Sequence, residues 1–211
     1  MIAFLSRKCS KKAVFERLCC YLRCFMLQLY LVMNMLMISI KDMDKKELHN
    51  HAHRLLRECL RPYGIDYTEE TPVTKGKMGK PSLAYRPDIH YNLSHADGIA
   101  ACIVSDCECG IDCERVREFR PNVMKRAFSE KERDMVEKAP DDMKDQLFFR
   151  LWTLKEAYVK ALGTGISYPM DTAEFGFEGG EIRTNVQGWR FRQYIVCGGK
   201  FVISVCEKAD K

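Results

Sequence analysis

A glutamate and a lysine four residues apart are the first candidates for chemistry in this chain of 211 residues. Glu156 and Lys160 lie in the stretch 151–160, LWTLKEAYVK, and their spacing places both on one face of a helix. Trp152 lies one turn earlier on that face. The ordinary alternative is a solvated ion pair, which stabilises a helix by about 0.3–0.5 kcal/mol. From this stretch alone, the solvated pair is the more common outcome.

A second acidic cluster lies upstream, in the segment 110–114, whose pattern predicts a strand. Side chains alternate along a strand, so Asp112 and Glu114 share one face. Two like charges on one face repel each other, and a cation between them would explain their placement. The alternative is an exposed strand face near the edge of the domain.

Two polar segments precede the acidic strand. The segment 71–88 is rich in Pro, Gly and Lys without a clear period, which predicts a surface loop of the kind that often holds ligands. Within it, Gly79-Lys80-Pro81 places a lysine between a flexible and a rigid residue. The next strand then ends in the polar step Ser94-His95.

Periodicity and capping residues predict the elements that must position these side chains. Asp44 with Glu47, and Ser129 with Glu132, are typical of helix N-termini, and Gly163 is typical of a helix end. The predicted helices run from residue 44 to about 62, and over 122–128, 131–138 and 141–162. The predicted strands are 35–40, 89–95, 99–105, 110–114, 173–177, 189–196 and 201–206.

The composition is that of a globular protein with a net charge of +5, partly from a basic N-terminus. It does not argue for nucleic acid, and it suits an anionic ligand or an acidic partner. The eleven cysteines are odd in number and scattered, mostly in apolar runs, which indicates a reducing, cytoplasmic setting. A zinc site at Cys107, Cys109 and Cys113 would lack paired C-x-x-C arms.

Residues 1–34 form an N-terminal extension whose nature the sequence leaves open. The run 24–40 is almost uncharged but at the lower limit of a membrane span. It fits a membrane anchor, a helix packed on the domain, or translated sequence before a start at Met33, Met35 or Met37. We favour the last two together and expect no membrane association.

Three carboxylates and several lysines predict one kind of chemistry. Mg²⁺ prefers oxygen ligands and keeps open positions for substrate phosphates. Lysines and a histidine would face the remaining phosphate charge. The residues alone therefore predict metal-dependent chemistry on a phosphate or pyrophosphate ester, without saying which ester.

With these motifs in order, the chain resembles the 4′-phosphopantetheinyl transferase superfamily, in particular the monomeric Sfp type. The paired signatures of that family correspond to Gly110-Ile111-Asp112-Cys113-Glu114 and to the stretch 151–160. Gly79-Lys80-Pro81 and Asn92-Leu93-Ser94-His95 resemble the two accompanying motifs. The resemblance covers residues 79 to 169.

The resemblance implies transfer of the phosphopantetheine arm of coenzyme A to a serine of an apo carrier protein, releasing adenosine 3′,5′-bisphosphate. It implies that Asp112, Glu114 and Glu156 hold Mg²⁺. Lys160, with Lys155, would neutralise charge on the pyrophosphate, and Glu156 would take the serine proton. Ser94 and His95 would contact coenzyme A phosphates, and Lys80 the nucleotide end.

The resemblance also implies a fold of two similar α+β subdomains related by a pseudo-twofold, with coenzyme A between them. The N-terminal subdomain would span 35–108, and the C-terminal subdomain, with the metal site, 109–211. The usual basic region for the 3′-phosphate has no counterpart in residues 1–60, although Arg54 and Arg57 are candidates to replace it. We expect a monomer acting on a fatty-acid, polyketide or peptide-synthetase carrier. The alternative is a non-catalytic module that binds coenzyme A or a carrier protein.

Overall fold

The computed structural model describes residues 35–41 and 44–209 of the chain. The helices are α1 (Lys45–Leu60), α2 (Pro121–Ala127), α3 (Glu130–Glu137) and α4 (Asp141–Leu162). The strands are β1 (Met35–Ile40), β2 (Val73–Lys75), β3 (Pro81–Leu83), β4 (His90–Ala96), β5 (Ile99–Ser105), β6 (Cys109–Arg115), β7 (Phe175–Glu178), β8 (Glu181–Thr184), β9 (Trp189–Val196) and β10 (Phe201–Lys208). The mixture of helices and antiparallel strands confirms the predicted α+β class.

Two three-stranded antiparallel sheets form the frame, in the orders β1-β5-β4 and β6-β10-β9. In each sheet the first strand along the chain is an edge strand, and at least one helix follows it. The other two strands form a hairpin, and the second strand of that hairpin is the central strand of the sheet. The two parts thus share a strand order. A pseudo-twofold between them, and the subdomain boundaries, stay predictions.

Three hydrophobic clusters lie between the helices and the sheets and between the two sheets. One lies between α1 and the first sheet and includes Leu56 and Cys102. The central cluster joins strands of both sheets, for example Ile103 and Ile203. The third lies between α4 and the second sheet. The described residues therefore pack with α1 and α4 on the outer faces of two sheets that share a core.

Helix α4 lies unusually close to β6, and a glycine makes this possible. A Cβ added to Gly110 would lie 2.1 Å from the carbonyl oxygen of Ala157 and 2.4 Å from the amide nitrogen of Ala161. Both distances are far inside van der Waals contact, so no other residue fits without moving the helix. This contact sets the distance between the acidic strand and the long helix.

The predicted capping residues are confirmed at two helices. Asp44 with Glu47 caps α1, and Ser129 with Glu132 caps α3, each as a reciprocal pair of side-chain and backbone hydrogen bonds. Helix α4 ends at Gly163, whose φ of 68° lies in the left-handed region. The pattern therefore predicted the N-caps of α1 and α3 and the end of α4 correctly.

The segment 71–88 differs from its prediction as a loop, because it contains the short hairpin β2–β3. Most of the uncharged run 24–40 lies outside the described residues, and its last part, 35–40, forms β1. Among the described residues, no helix is both long enough and apolar enough to cross a membrane.

Candidate active site

A cleft of about 390 Å³ opens where β4, β6 and α4 meet. Its lining contains most of the predicted site residues: Leu93, Ser94, His95, Asp112, Cys113, Glu114, Trp152, Glu156 and Lys160. The predicted strand face, with Asp112 and Glu114, and the predicted helix face, with Glu156 and Lys160, therefore meet in one site.

The centre of the cleft is a three-way contact between a lysine, a carboxylate and a hydroxyl. Lys160 Nζ lies 2.6 Å from Asp112 Oδ1 and 3.1 Å from Ser94 Oγ. Ser94 Oγ in turn donates to Asp112 Oδ1 at 2.9 Å. Burial disfavours the charge of Lys160, but the Asp112 carboxylate outweighs this and raises its pKa. The lysine is therefore charged at neutral pH.

The two glutamates of the cleft have raised pKa values. For Glu156 the main cause is burial, with the negative charges of Asp112 and Glu114 adding to it and Lys160 opposing it. Burial also raises the pKa of Glu114, against the effect of Arg117, whose Nη1 lies 2.8 Å from Glu114 Oε2. Three carboxylates that repel each other in a half-buried cleft favour the entry of a cation.

The donor atoms of the cleft fit Mg²⁺ in their chemistry. Asp112 Oδ2 is buried and makes no hydrogen bond within the described residues, so one carboxylate oxygen is left for a ligand. In the described part of the chain, no three His, Cys, Asp or Glu side chains are placed to hold an ion by themselves. An ion there would need oxygens from water or substrate, as is usual for Mg²⁺.

The structure does not bring Lys155 into the cleft, contrary to its predicted catalytic role. Its side chain is fully buried on another face of α4, where Nζ lies 2.7 Å from Glu132 Oε2. It also donates to the carbonyl oxygens of Met170 and Ala173, at 2.8 and 2.7 Å. Its charge therefore ties α4 to α3 and to the loop before β7.

Lys80 also lies outside the cleft, and its predicted contact with the nucleotide end of coenzyme A stays a prediction. Its Nζ donates to the carbonyl oxygens of Ala161, at 2.6 Å, and Cys109, at 3.0 Å. It thereby satisfies a free carbonyl at the end of α4 and fixes the loop of Gly79 there. It lines a separate pocket of about 300 Å³.

A basic groove adjoins the cleft on the side of α1. His95 lines the cleft, and its ring centroid lies 5.9 Å from that of His49, which lines a groove of about 660 Å³. The basic side chains of that groove are Lys41, His49, His53, Arg54 and Arg57, and its acidic side chains are Glu47 and Glu69. Arg54 and Arg57 were predicted candidates for the 3′-phosphate, whereas His49 and His53 were not predicted to have a role. Their four-residue spacing was the available signal, because it places the rings 4.7 Å apart.

Trp152 serves the cleft and the core at once. Its ring stacks on that of Phe148, with the ring centroids 6.3 Å apart, and Trp152 also lines the cleft. Trp152 is therefore both a packing residue of the core and part of the lining of the site.

Comparison with known proteins finds relatives of one family. A family model described as the 4′-phosphopantetheinyl transferase superfamily matches residues 108–206. The chain is 36% identical over 135 residues to the 4′-phosphopantetheinyl transferase gsp of Aneurinibacillus migulanus, an alignment covering 64% of this chain and 55% of that protein. It is 34% identical over 129 residues to 4′-phosphopantetheinyl transferase Sfp of Bacillus subtilis (strain 168), covering 57% of each. The chain thus spans about half the length of these curated relatives.

Among solved structures, the holo-acyl-carrier-protein synthase (AcpS) of Thermotoga maritima is similar in an alignment that covers 50% of this chain and 64% of the synthase chain. The TM-score is 0.42 and the sequence identity 19%, a likeness that carries no argument. The match of residues 108–206 includes β6 and α4, which carry the carboxylates and the lysine of the cleft. Over residues 108–206 the chain matches the model of the 4′-phosphopantetheinyl transferase superfamily, and it is similar to the Sfp-type members. The resemblance noted from the motifs is confirmed.

Proposed function

We propose that this protein transfers the 4′-phosphopantetheine group of coenzyme A to a serine of an apo carrier protein. The reaction is Mg²⁺-dependent and releases adenosine 3′,5′-bisphosphate. One observation carries the proposal: Asp112, Glu114, Glu156 and Lys160 line a single cleft within the segment that matches the superfamily.

The proposed reaction joins a serine oxygen to the phosphorus next to the pantetheine arm and breaks the pyrophosphate bond of coenzyme A. The electron pair of that bond leaves with the nucleotide phosphate, beside Lys160. Because the Asp112 carboxylate keeps the pKa of Lys160 raised, the lysine stays charged and stabilises the negative charge that develops there.

Glu156 is the candidate acceptor of the serine proton. Burial and the neighbouring carboxylates raise its pKa, which makes it a better base than an exposed glutamate. The nucleophile belongs to the carrier protein, which explains why the cleft itself requires no serine–base pair. Asp112, Glu114 and Glu156 would hold Mg²⁺, which neutralises pyrophosphate charge when bound.

Coenzyme A has a place for its phosphates in the basic groove beside the cleft. His95 lies at the boundary of the two spaces, and Arg54 and Arg57 lie further along α1. Arg57 already makes one hydrogen bond within the protein, since its Nε donates to the carbonyl oxygen of Tyr67 at 2.7 Å. We propose that Arg54 and the histidines of the groove contact the 3′-phosphate. A cytoplasmic monomer and a fatty-acid, polyketide or peptide-synthetase carrier belong to the same proposal.

The test is a carrier-modification assay with purified protein, coenzyme A, Mg²⁺ and a panel of apo carriers. Mass spectrometry should find the carrier heavier by one phosphopantetheine group. Glu156→Gln should lose about 100-fold or more in rate, since it removes the proton acceptor. Glu137→Gln, an exposed change on α3, is the matched control and should keep the wild-type rate.

Two outcomes would count against transfer. Full activity in Glu156→Gln would remove the role of that residue. Calorimetric binding of coenzyme A with no carrier modified across the panel would instead indicate a module that binds without turnover.

A further inference from the structure

Helix α1 carries three histidines at alternate positions, and two of them are placed to share a metal ion. His49 and His53 are four residues apart, so they lie on one face of the helix. Their ring centroids lie 4.7 Å apart, with the ring planes at 59°. Two imidazoles bound to one tetrahedral ion through Zn–N bonds of about 2.1 Å would have their centroids about 5 Å apart. The pair therefore already has the spacing of a chelate.

The ring nitrogens of this pair are open to a ligand. His49 is exposed, and His53 is half-buried in the basic groove. The Tyr67 hydroxyl lies 3.4 Å from His53 Nδ1 and can accept the hydrogen of that nitrogen, which leaves the lone pair of Nε2 for a metal. Burial lowers the pKa of His53, and His49 acts in the same direction, against Glu69. The His53 ring is thus neutral at pH 7, which is the form that binds metals.

The third histidine of α1 is engaged within the protein. His51 Nε2 lies 2.8 Å from Ser39 Oγ, and His51 Nδ1 lies 3.1 Å from Arg54 Nη2. Both of its nitrogens therefore have partners already. His51 is the natural control for the other two.

The charges of the groove favour an ion that bonds strongly to nitrogen. The positive charges of Lys41, Arg54 and Arg57 oppose the entry of any cation, and the carboxylates of Glu47 and Glu69 offset part of this. Imidazole nitrogen suits Zn²⁺, Ni²⁺ and Cu²⁺, with the highest affinity for Cu²⁺, whereas Mg²⁺ prefers oxygen.

We propose that His49 and His53 bind a divalent transition-metal ion such as Zn²⁺ or Cu²⁺, at a site separate from the acidic cleft. No third His, Cys, Asp or Glu of the described residues is placed to join the pair. Water or an anion therefore fills the remaining positions of the ion, and the ion is exchangeable. The site does not depend on the transfer reaction.

The test is a metal titration of the purified, untagged full-length protein, with Zn²⁺ or Cu²⁺ as the only ligand. Accessible thiols are alkylated first, because thiolates also bind zinc. Competition with a chromophoric chelator should give one site per chain, with Cu²⁺ bound more tightly than Zn²⁺. The electron paramagnetic resonance spectrum of the Cu²⁺ complex should show coupling to two imidazole nitrogens.

Variants of α1 make the titration specific. His49→Ala and His53→Ala should each weaken metal binding by at least about tenfold, and the double variant should abolish it. His51→Gln, which keeps a donor near Ser39, should bind like the wild type. Metal should raise the thermal midpoint of the wild type and of His51→Gln and leave that of the double variant unchanged. Unfolding without metal shows whether each variant is folded, and if His53→Ala is not, His53→Gln takes its place.

The wild-type affinity in the double variant would overturn the proposal, as would an equal loss of affinity in His51→Gln or no binding by the wild type. The titration contains neither coenzyme A nor a carrier protein. A failure of the transferase function would therefore leave its result unaffected.

Discussion

Two lysines of the same helix have opposite surroundings. Lys160 lies in the cleft beside Asp112, whereas Lys155 is buried against Glu132. Five residues rotate a side chain by about 140° around a helix, so the two cannot share a face. The Glu132 carboxylate also accepts the backbone N–H groups of Ser129 and Phe175, at 2.7 and 2.8 Å. The buried pair therefore joins a helix cap, a helix and a strand.

The first prediction is that Lys155→Met destabilises the protein strongly. The variant leaves the carboxylate of Glu132 buried without its counter-charge, which costs about 3–5 kcal/mol. Urea unfolding would measure this loss. The double variant Lys155→Met/Glu132→Gln should regain most of the stability, because its buried negative charge is removed as well. Lys144→Met removes a partly exposed lysine of α4 that pairs only with the exposed Asp141, and it should change stability by about 0.5 kcal/mol or less. If Lys155→Met alone were as stable as the wild type, the structural role of Lys155 would be contradicted.

The sequence could predict which residues share a face, but it could not predict what each face meets. The face of Glu156 and Lys160 followed from spacing alone, as did that of Asp112 and Glu114. The partners of Lys80 are backbone carbonyls of β6 and α4, which no side-chain pattern marks. Roles that depend on tertiary partners therefore remained open until the fold was known.

At the level of elements, caps and periodicity predicted most boundaries well. Strands β1 and β9 begin and end at the predicted residues. The hairpin β2–β3 was not predicted, because each strand has only three residues and β2 is exposed throughout. A segment with no buried face leaves no alternation in the sequence to detect.

The second prediction concerns the closest contact between elements. Gly110→Ala should cost about 3 kcal/mol or more, because the added methyl group overlaps the backbone of α4. It should also move α4 away from β6 and so separate Glu156 from Asp112. Chemical unfolding and the transfer assay would measure the two effects.

The control for Gly110→Ala is Gly176→Ala on β7. There the new Cβ would lie 3.5 Å from Met135 Cε, which is ordinary contact with a flexible side chain. This variant should keep stability within about 1 kcal/mol of the wild type and retain its activity. Equal losses in the two variants would show that the close approach of α4 and β6 is not the cause.

At the scale of the whole molecule, the site depends on how the two sheets meet. Asn92 and Ser94 of the first sheet bond the edge of β6 in the second. The cleft lies at this junction, and the basic groove continues from it along α1. The motifs appear in order in the sequence, but their order does not reveal that β4 and β6 lie side by side.

The groove also predicts how ligand binding depends on pH. Burial lowers the pKa of His95, and the charges of His49 and Lys160 lower it further. Burial likewise lowers the pKa of His53, with His49 acting in the same direction and Glu69 against it. Both imidazoles are therefore neutral at pH 7, and a bound phosphate favours their protonated forms. Binding should take up protons.

The third prediction is that coenzyme A binds more tightly as the pH falls from about 7.5 to 5.5, by up to about tenfold per pH unit for each proton taken up. Calorimetry in buffers of different ionisation enthalpy would measure both the affinity and the protons. Dephospho-coenzyme A should show a weaker dependence, because it lacks the 3′-phosphate that the groove is proposed to hold. His95→Asn should also weaken the pH dependence of binding. His90→Asn should not weaken it, since His90 lines the separate pocket beside Lys80. An affinity independent of pH in the wild type would place the phosphates outside the groove.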